Sequence, residues 1–159
     1  MEMDLQLTGK VAVITGSGRG IGYASALALA QEGARIVITD INPESVEQAV
    51  GSLKQSGHDA IGAVLDVCDP DQVQTMAELA AHAFGGIDIL VNNAGFTRDK
   101  YLLKMPVEDW DSVVDTILKG AYYCTKAALP SMMERKWGRV INIASVSYTH
   151  LTLPTTPYV

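Results

Sequence analysis

A run of glycines at residues 15–22, TGSGRGIG, has the composition of a phosphate-binding turn. It follows the apolar segment 11–14 and opens a stretch with helical character. Gly16 permits a sharp turn, while Gly20 and Gly22 let phosphates approach the backbone and the helix approach the sheet. A strand, a glycine turn and a helix N-terminus together predict binding of a dinucleotide pyrophosphate. The alternative is a strand-to-helix turn that holds no ligand.

Two charged residues near this turn bear on which dinucleotide would bind. Asp40 ends the second apolar run, about 20 residues beyond the glycines, where a carboxylate can accept hydrogen bonds from the adenosine ribose. The same charge repels a 2′-phosphate and so favours NAD over NADP. Arg19 argues the other way because a guanidinium can pair with that phosphate, although Ile41 adds no second positive charge. We therefore predict a preference for NAD, with NADP as the alternative.

The segments that would position these residues alternate between strand and helix patterns. Apolar, β-branched runs predict five strands, at 11–15, 35–39, 60–65, 87–91 and 139–143. Helical spacing of apolar residues lies between them, and we expect Trp110, on the stripe of the fourth helical segment, to pack in the core. Right-handed crossovers then predict an α/β fold with a doubly wound parallel sheet, a Rossmann fold, truncated after the fifth strand. Residues 1–145 would form one dinucleotide-binding domain.

The composition restricts the class of protein. The chain has 159 residues, of which 48% are hydrophobic, enough for one buried core. A formal net charge of −6 disfavours binding to nucleic acid or to an anionic membrane surface. Cys68 and Cys124 lack metal-ligand spacing, so we expect reduced packing residues and no metal site. No apolar segment is long enough to span a bilayer or resembles a signal peptide, which predicts a cytoplasmic protein.

Two further motifs point to a family. The sequence NNAG at 92–95 follows the fourth predicted strand, and GRVINIAS at 138–145 covers the fifth. With the glycine run, in this order and spacing, the chain resembles the short-chain dehydrogenase/reductases from about Leu7 to Ser145. The stretch 94–100, together with Met105, 108–110 and 118–120, looks most like the 3-oxoacyl-carrier-protein reductase branch, although alcohol and sugar dehydrogenases share many of these residues.

The resemblance implies an NAD(P)-dependent oxidoreductase that moves hydride between a nicotinamide and a carbonyl or alcohol carbon. A 3-oxoacyl thioester is the first expectation for its substrate, and a secondary alcohol or sugar is the alternative. Acyl-carrier protein would be a partner, with Arg98 and Arg135 either as basic contacts or as solvated surface charges. The parent protein would be a homodimer or homotetramer.

The resemblance also assigns cofactor-binding roles. The pyrophosphate and nicotinamide ribose would be lined by Gly16, Ser17, Arg19, Gly20 and Ile21, with Gly22 in the same turn. The adenine would be held by Asp66 and Val67. The adenosine ribose and the cofactor backbone would lie against Asn93, Ala94 and Gly95. Asn92 would join neighbouring strands. For 92–95 a structural role and a cofactor role are compatible, and Asp66 has the alternative of a loop cap before Pro70.

Ser145 is the residue to which the resemblance gives a catalytic role, as a hydrogen-bond donor to the substrate carbonyl; a strand-end cap is the alternative. A tyrosine would then act as proton donor, with its pKa lowered by a lysine. This chain departs from the family at Ile117, where an asparagine usually helps hold a proton-relay water. Isoleucine can offer no hydrogen bond there.

The last residues, 146–159, do not follow the family pattern. They lack helical periodicity, contain two prolines, and can be encoded by a reading frame through a transposase-based sequencing adapter. We therefore predict that 146–159 is a non-native tail. Tyr158 would not be catalytic because only Val159 follows, so no lysine stands one helical turn on, and His150 is expected to be a tail residue. As written, the chain would be an inactive dinucleotide-binding fragment that folds marginally.

Overall fold

A single parallel sheet forms the centre of the structure, a computed structural model that describes residues 5–144. Its strands are β1 (Val11–Ile14), β2 (Arg35–Asp40), β3 (Ala60–Val64), β4 (Ile89–Asn92) and β5 (Arg139–Asn142). They lie in the order β3-β2-β1-β4-β5, and every neighbouring pair is parallel. The predicted doubly wound α/β sheet is confirmed. The largest difference is at β4, which begins two residues later than predicted.

Within residues 5–144, five α-helices lie between these strands. They are α1 (Gly20–Gln31), α2 (Pro43–Gln55), α3 (Pro70–Phe84), α4 (Val107–Val114) and α5 (Gly120–Glu134). Local sequence fixes several of their ends. Asn42 and Asp69 cap the N-termini of α2 and α3 through their side chains, each followed by a proline, and Gly85 ends α3 in the left-handed conformation.

The sheet is covered by helices on both faces. Successive residues of β1 point to opposite sides, so Ala12 and Ile14 pack with α1 and α2 while Val11 and Val13 pack with α3 and α5. All four β1 residues are buried, as are the four of β4. This two-sided burial explains the near-continuous apolar runs from which the strands were predicted.

A π-helical segment, Asp115–Lys119, joins α4 to α5 after a short 3₁₀ turn at Leu102–Lys104. The backbone at Val114, Asp115 and Gly120 stays right-handed helical, so these segments form one continuous helical stretch.

The expectation that Trp110 packs in the core is wrong: its side chain is 58% exposed. The apolar stripe of α4 has the predicted period, but α4 contacts mainly the π segment, and none of its residues is fully buried.

β5 differs from the other strands in its exposure. All four of its residues are exposed, whereas β1 and β4 are fully buried. Among the described residues β5 pairs only with β4, and Ile141 is 44% exposed. β5 is therefore an unprotected edge of the described sheet.

In the part of the chain that the structure describes, no helix is both long and apolar enough to cross a membrane.

Candidate dinucleotide-binding site

The glycine turn lies where the carboxyl ends of β1 and β4 meet. Ser17, in its centre, is fully buried and faces inward. Its hydroxyl donates to the Ile14 carbonyl at 2.7 Å and accepts from the Thr39 N–H at 3.0 Å. Ser17 therefore ties the turn to β1 and β2 from within, rather than lining its outer surface.

Three glycines of the turn meet different surroundings. A Cβ on Gly22 would stand 2.5 Å from the Gly16 carbonyl oxygen, so close packing of helix and turn requires glycine there. Gly16, at φ +62°, would bring a Cβ within 3.0 Å of Ala94 Cα. Gly20 has φ +59° and no described atom within 4 Å of its would-be Cβ. The turn is thus packed beneath and open above Gly20, the shape of a cradle for a ligand.

The N-terminus of α1 opens into the same space. Arg19 is its N-cap residue in extended conformation, and no described side chain caps the first turn. The first N–H groups of a helix lack intrahelical partners and carry partial positive charge, so this end suits an anion. Arg19 is exposed beside it, and Ile21, in the first turn, is 68% exposed. These two side chains are therefore available to a bound ligand.

Asn93 and Ala94 hold the turn from the β4 side. The amide nitrogen of Asn93 donates to the carbonyls of Thr15 and Gly16 at 2.9 and 3.0 Å. The backbone N–H groups of Asn93 and Ala94 both donate to the Thr15 hydroxyl, at 3.0 and 2.9 Å. The Asn93 side chain thus stabilises the conformation of the glycine turn. Sequence reasoning missed Thr15, although a hydroxyl directly at the end of a buried strand was a usable signal.

Asn92 joins β4 to its neighbours, as expected. Its Nδ2 donates to Asn142 Oδ1 at 2.8 Å, across to β5, and to Thr125 Oγ1 at 3.2 Å, across to α5. Its Oδ1 is buried and has no hydrogen-bond partner among the described residues.

Asp40 lies at the end of β2, directly beside the turn. Its Oδ2 accepts from the Gly18 N–H at 3.2 Å, and its Oδ1 accepts from the Asn42 N–H at 3.1 Å. A Cβ on Gly18 would stand 2.9 Å from Asp40 Oδ2. The structure therefore fixes this carboxylate against the glycine turn, the location from which the sequence predicted a contact with ribose.

Asp66 and Val67 lie in the turn between β3 and α3. Asp66 Oδ1 accepts from the Cys68 N–H at 2.9 Å, so this side chain does cap its own turn. Val67 is buried, and a Cβ on Gly120 would stand 2.7 Å from its Cγ2. The cap and a role toward adenine are compatible, because the cap uses one carboxylate oxygen. The adenine role stays a prediction.

A cleft of about 790 Å³ connects the site to α5 and β5. Its lining includes Thr15, Val67, Asn92, Ala94, Ile117 and Asn142. Ile117 belongs to the π segment and approaches Gly95, where a Cβ would stand 3.3 Å from its Cγ1. The residue that departs from the family pattern thus gives this wall of the cleft an apolar side chain.

Several predicted residues lie elsewhere. Ser145, His150 and Tyr158 lie outside the described residues, as does the rest of 145–159. Arg135, a candidate surface contact, instead forms an ion pair with the buried Asp88, with 2.7 Å between Nη1 and Oδ1, and also donates to the Gly85 carbonyl. Arg98 is exposed and 3.9 Å from the Asp109 carboxylate, so it remains at the surface.

Comparisons with known proteins agree with this fold. The family model described as short chain dehydrogenase matches residues 10–158. The 3-oxoacyl-[acyl-carrier-protein] reductase of Synechocystis sp. is 43% identical over 142 residues, which are 89% of this chain and 58% of that relative. The (2S)-[(R)-hydroxy(phenyl)methyl]succinyl-CoA dehydrogenase subunit BbsD of Thauera aromatica is 45% identical over 136 residues, 86% of this chain and 55% of the relative. The chain spans a little over half the length of these curated relatives. On the family match and the fold together, the chain belongs to the short-chain dehydrogenase family.

Proposed function

We propose that residues 1–145 are the dinucleotide-binding part of an NAD(P)-dependent oxidoreductase, and that 146–159 is a non-native tail. One observation carries the cofactor proposal: the open space above Gly20, at the uncapped N-terminus of α1. Exposed N–H groups and a missing Cβ suit a pyrophosphate there. Gly16, Gly20, Gly22 and Arg19 would hold the pyrophosphate, with Ser17 supporting the turn from within.

NAD is the preferred cofactor in this proposal. Asp40 has a fixed carboxylate whose remaining lone pairs can accept from the ribose hydroxyls, and its charge repels a 2′-phosphate. Arg19 is exposed, and its guanidinium can pair with a 2′-phosphate, which favours NADP instead. Asp66 and Val67 would hold the adenine, while Asn93, Ala94 and Gly95 would lie against the cofactor. A bound nicotinamide would supply or accept the hydride.

The proposed substrate is a 3-oxoacyl thioester, reduced at its 3-oxo group. Support comes from the relatives' names, because one acts on an acyl-carrier-protein thioester and another on a coenzyme A thioester. A secondary alcohol or sugar is the alternative substrate. Acyl-carrier protein is a proposed partner, with Arg98 as the remaining basic contact, and the parent protein would be a homodimer or homotetramer.

Ser145 is the proposed catalytic residue of this chain, as hydrogen-bond donor to the substrate carbonyl.

A second candidate function is a dinucleotide-binding module without catalysis. The apolar contact of Ile117 with Gly95 favours it, since no hydrogen bond for a proton relay is available from that side chain.

A combined binding and turnover assay separates these proposals. We would titrate the chain with NADH and NADPH by fluorescence, then add acetoacetyl-coenzyme A and follow NADH oxidation. Saturable binding with turnover would refute the module, whereas binding without turnover supports the module for this chain. Absence of saturable binding of either dinucleotide would contradict both.

A further inference from the structure

The turn between β3 and α3 is held by a side chain from within α3. Gln72 Oε1 accepts from the Asp66 backbone N–H at 2.9 Å, and Gln72 Nε2 donates to Asp69 Oδ2, also at 2.9 Å. The Asp69 N–H in turn donates to the Asp66 carbonyl at 3.0 Å. The amide of Gln72 therefore joins the first residue of the turn to the residue that caps the helix.

This arrangement is more than the usual reciprocal cap of a helix. In a capping box, the glutamine at the third helical position accepts from the N–H of the N-cap residue itself. Here the N-cap residue is Asp69, yet Gln72 reaches past it to Asp66, three residues earlier. The interaction fixes the backbone at Asp66, which helix capping alone does not require.

Asp66 is held on both sides as a result. Its N–H is bound by Gln72, and its Oδ1 accepts from the Cys68 N–H. Among the described residues no N–H group donates to Asp66 Oδ2. The Cys68 thiol, whose pKa is raised chiefly by burial and also by the Asp66 carboxylate, lies beside it, and one carboxylate oxygen remains for a ligand. The next residue, Val67, lines the same cleft as Thr15 and Ala94, which places the turn beside the glycine site.

We propose that Gln72 is a positioning residue that holds Asp66 for recognition of the adenine exocyclic amine. The inference rests on the proposed dinucleotide-binding function. A carboxylate can only accept hydrogen bonds, and the exocyclic amine is the donor that adenine offers. Hypoxanthine carries a carbonyl oxygen at that position, so a correctly held Asp66 disfavours it.

The readout is the ratio of dissociation constants for nicotinamide hypoxanthine dinucleotide and NAD. Loss of folded protein weakens both ligands alike and leaves this ratio unchanged, whereas misplacement of Asp66 lowers it. The variant Gln72→Met keeps the side-chain length and removes both hydrogen bonds. Its matched control is Gln74→Met on the same helix, where the glutamine side chain bonds to Glu78 and not to the turn.

We expect Gln72→Met to lower the ratio about fivefold, the size typical of one lost hydrogen bond, and Gln74→Met to leave it unchanged. In an Asp66→Ala background the discrimination is already lost, so Gln72→Met should have no further effect on the ratio. Gln72→Glu alone would place its carboxylate against Asp69 Oδ2, so it is combined with Asp69→Asn, whose amide can donate to that carboxylate and still cap the helix. The double variant keeps an acceptor for the Asp66 N–H and should keep most of the discrimination, which provides a second test if Gln72→Met does not fold.

Two results would overturn the inference: an unchanged ratio in Gln72→Met, whether or not the affinity for both dinucleotides falls, or a ratio in the double variant Gln72→Glu with Asp69→Asn as low as in Asp66→Ala. If the unmodified chain binds neither dinucleotide, the proposed function itself fails and the inference falls with it. If the unmodified chain binds both without preference for NAD, only the role of Asp66 and Gln72 is refuted.

Discussion

At the scale of single residues, the most informative side chain is Asp40. Backbone N–H groups of Gly18 and Asn42 bind its two carboxylate oxygens, so its charge has a defined location beside the glycine turn. The sequence predicted this location because the end of the second strand in such a sheet lies next to the first turn. A fixed negative charge there acts on any 2′-phosphate that a ligand carries.

Replacement of Asp40 by asparagine tests this effect. The amide side chain would keep an acceptor for the Gly18 N–H but remove the charge, so Asp40→Asn should shift the NADP-to-NAD affinity ratio toward NADP by about tenfold. Dissociation constants from calorimetry would show it. Asp59→Asn is the control, because Asp59 is exposed and pairs only loosely with Arg35, at 3.8 Å. Equal ratios in Asp40→Asn and the unmodified chain would refute the assignment of the NAD preference to the Asp40 charge.

Cys124 gives a pH-dependent prediction. Burial raises the pKa of the Cys124 thiol from its ordinary 9.0 to about 12. The neutral thiol therefore stabilises the fold fully below pH 9, and this contribution declines as pH rises from about 9 toward 12, because the unfolded chain ionises first. Between pH 9 and 10 the free energy of unfolding should fall by about 1 kcal/mol more in the unmodified chain than in Cys124→Ala. Urea unfolding at both pH values measures this; parallel losses would contradict it.

At the scale of elements, the strand β1, the glycine turn and the helix α1 act as one unit. The turn is anchored by the Ser17 and Thr15 hydroxyls beneath, while its upper side stays open. Two of its glycines consequently have different tasks: Gly22 lets the helix pack, and Gly20 keeps the cradle accessible.

Alanine at these two positions should separate packing from binding. Gly22→Ala places a methyl group 2.5 Å from a backbone oxygen, which we expect to destabilise the fold by about 2 kcal/mol. Gly20→Ala meets no described neighbour and should cost about 1 kcal/mol for its positive φ, yet it should weaken NAD binding by about tenfold or more because the methyl enters the cradle. Thermal unfolding and calorimetry measure the two effects. Unimpaired binding in Gly20→Ala would contradict the assignment of the cradle.

The elements also show how far the sequence predicts the site. Glycine spacing and apolar runs predict which residues reach the carboxyl edge of the sheet, and Asp40 and Asn92 lie where expected. Periodicity shows which residues share a helix face but not whether another element packs on that face. The prediction of a buried Trp110 is wrong for this reason. Nor does periodicity say which way a hydroxyl in a turn points, so the inward orientation of Ser17 and the part played by Thr15 emerge only in three dimensions.

At the scale of the whole molecule, one side of the described structure lacks cover. The edge strand β5 is exposed, and several large apolar side chains of the adjoining helical stretch are exposed too: Trp110, Leu118, Tyr122, Leu129 and Met133. An open strand edge beside apolar surface favours association between chains. We therefore expect the chain to self-associate and to unfold with low cooperativity.

A lysine on the edge strand should reduce this association. Ile141→Lys adds a charge to an exposed position of β5 and should raise the monomer fraction in size-exclusion chromatography with light scattering. Gln48→Lys, which adds the same charge at an exposed position on α2, is the control and should have little effect. Monodisperse elution and a sharp cooperative melt of the unmodified chain would contradict the expectation of association at this edge.

The central claim is that the glycine turn and the N-terminus of α1 bind a nicotinamide dinucleotide. Isothermal titration of the chain with NAD, and of its Gly20→Ala variant as control, tests it most directly. We predict saturable binding at one site per chain that is tighter for NAD than for NADP and strongly weakened in the variant. A flat titration, or the same affinity in the chain and in Gly20→Ala, would contradict it.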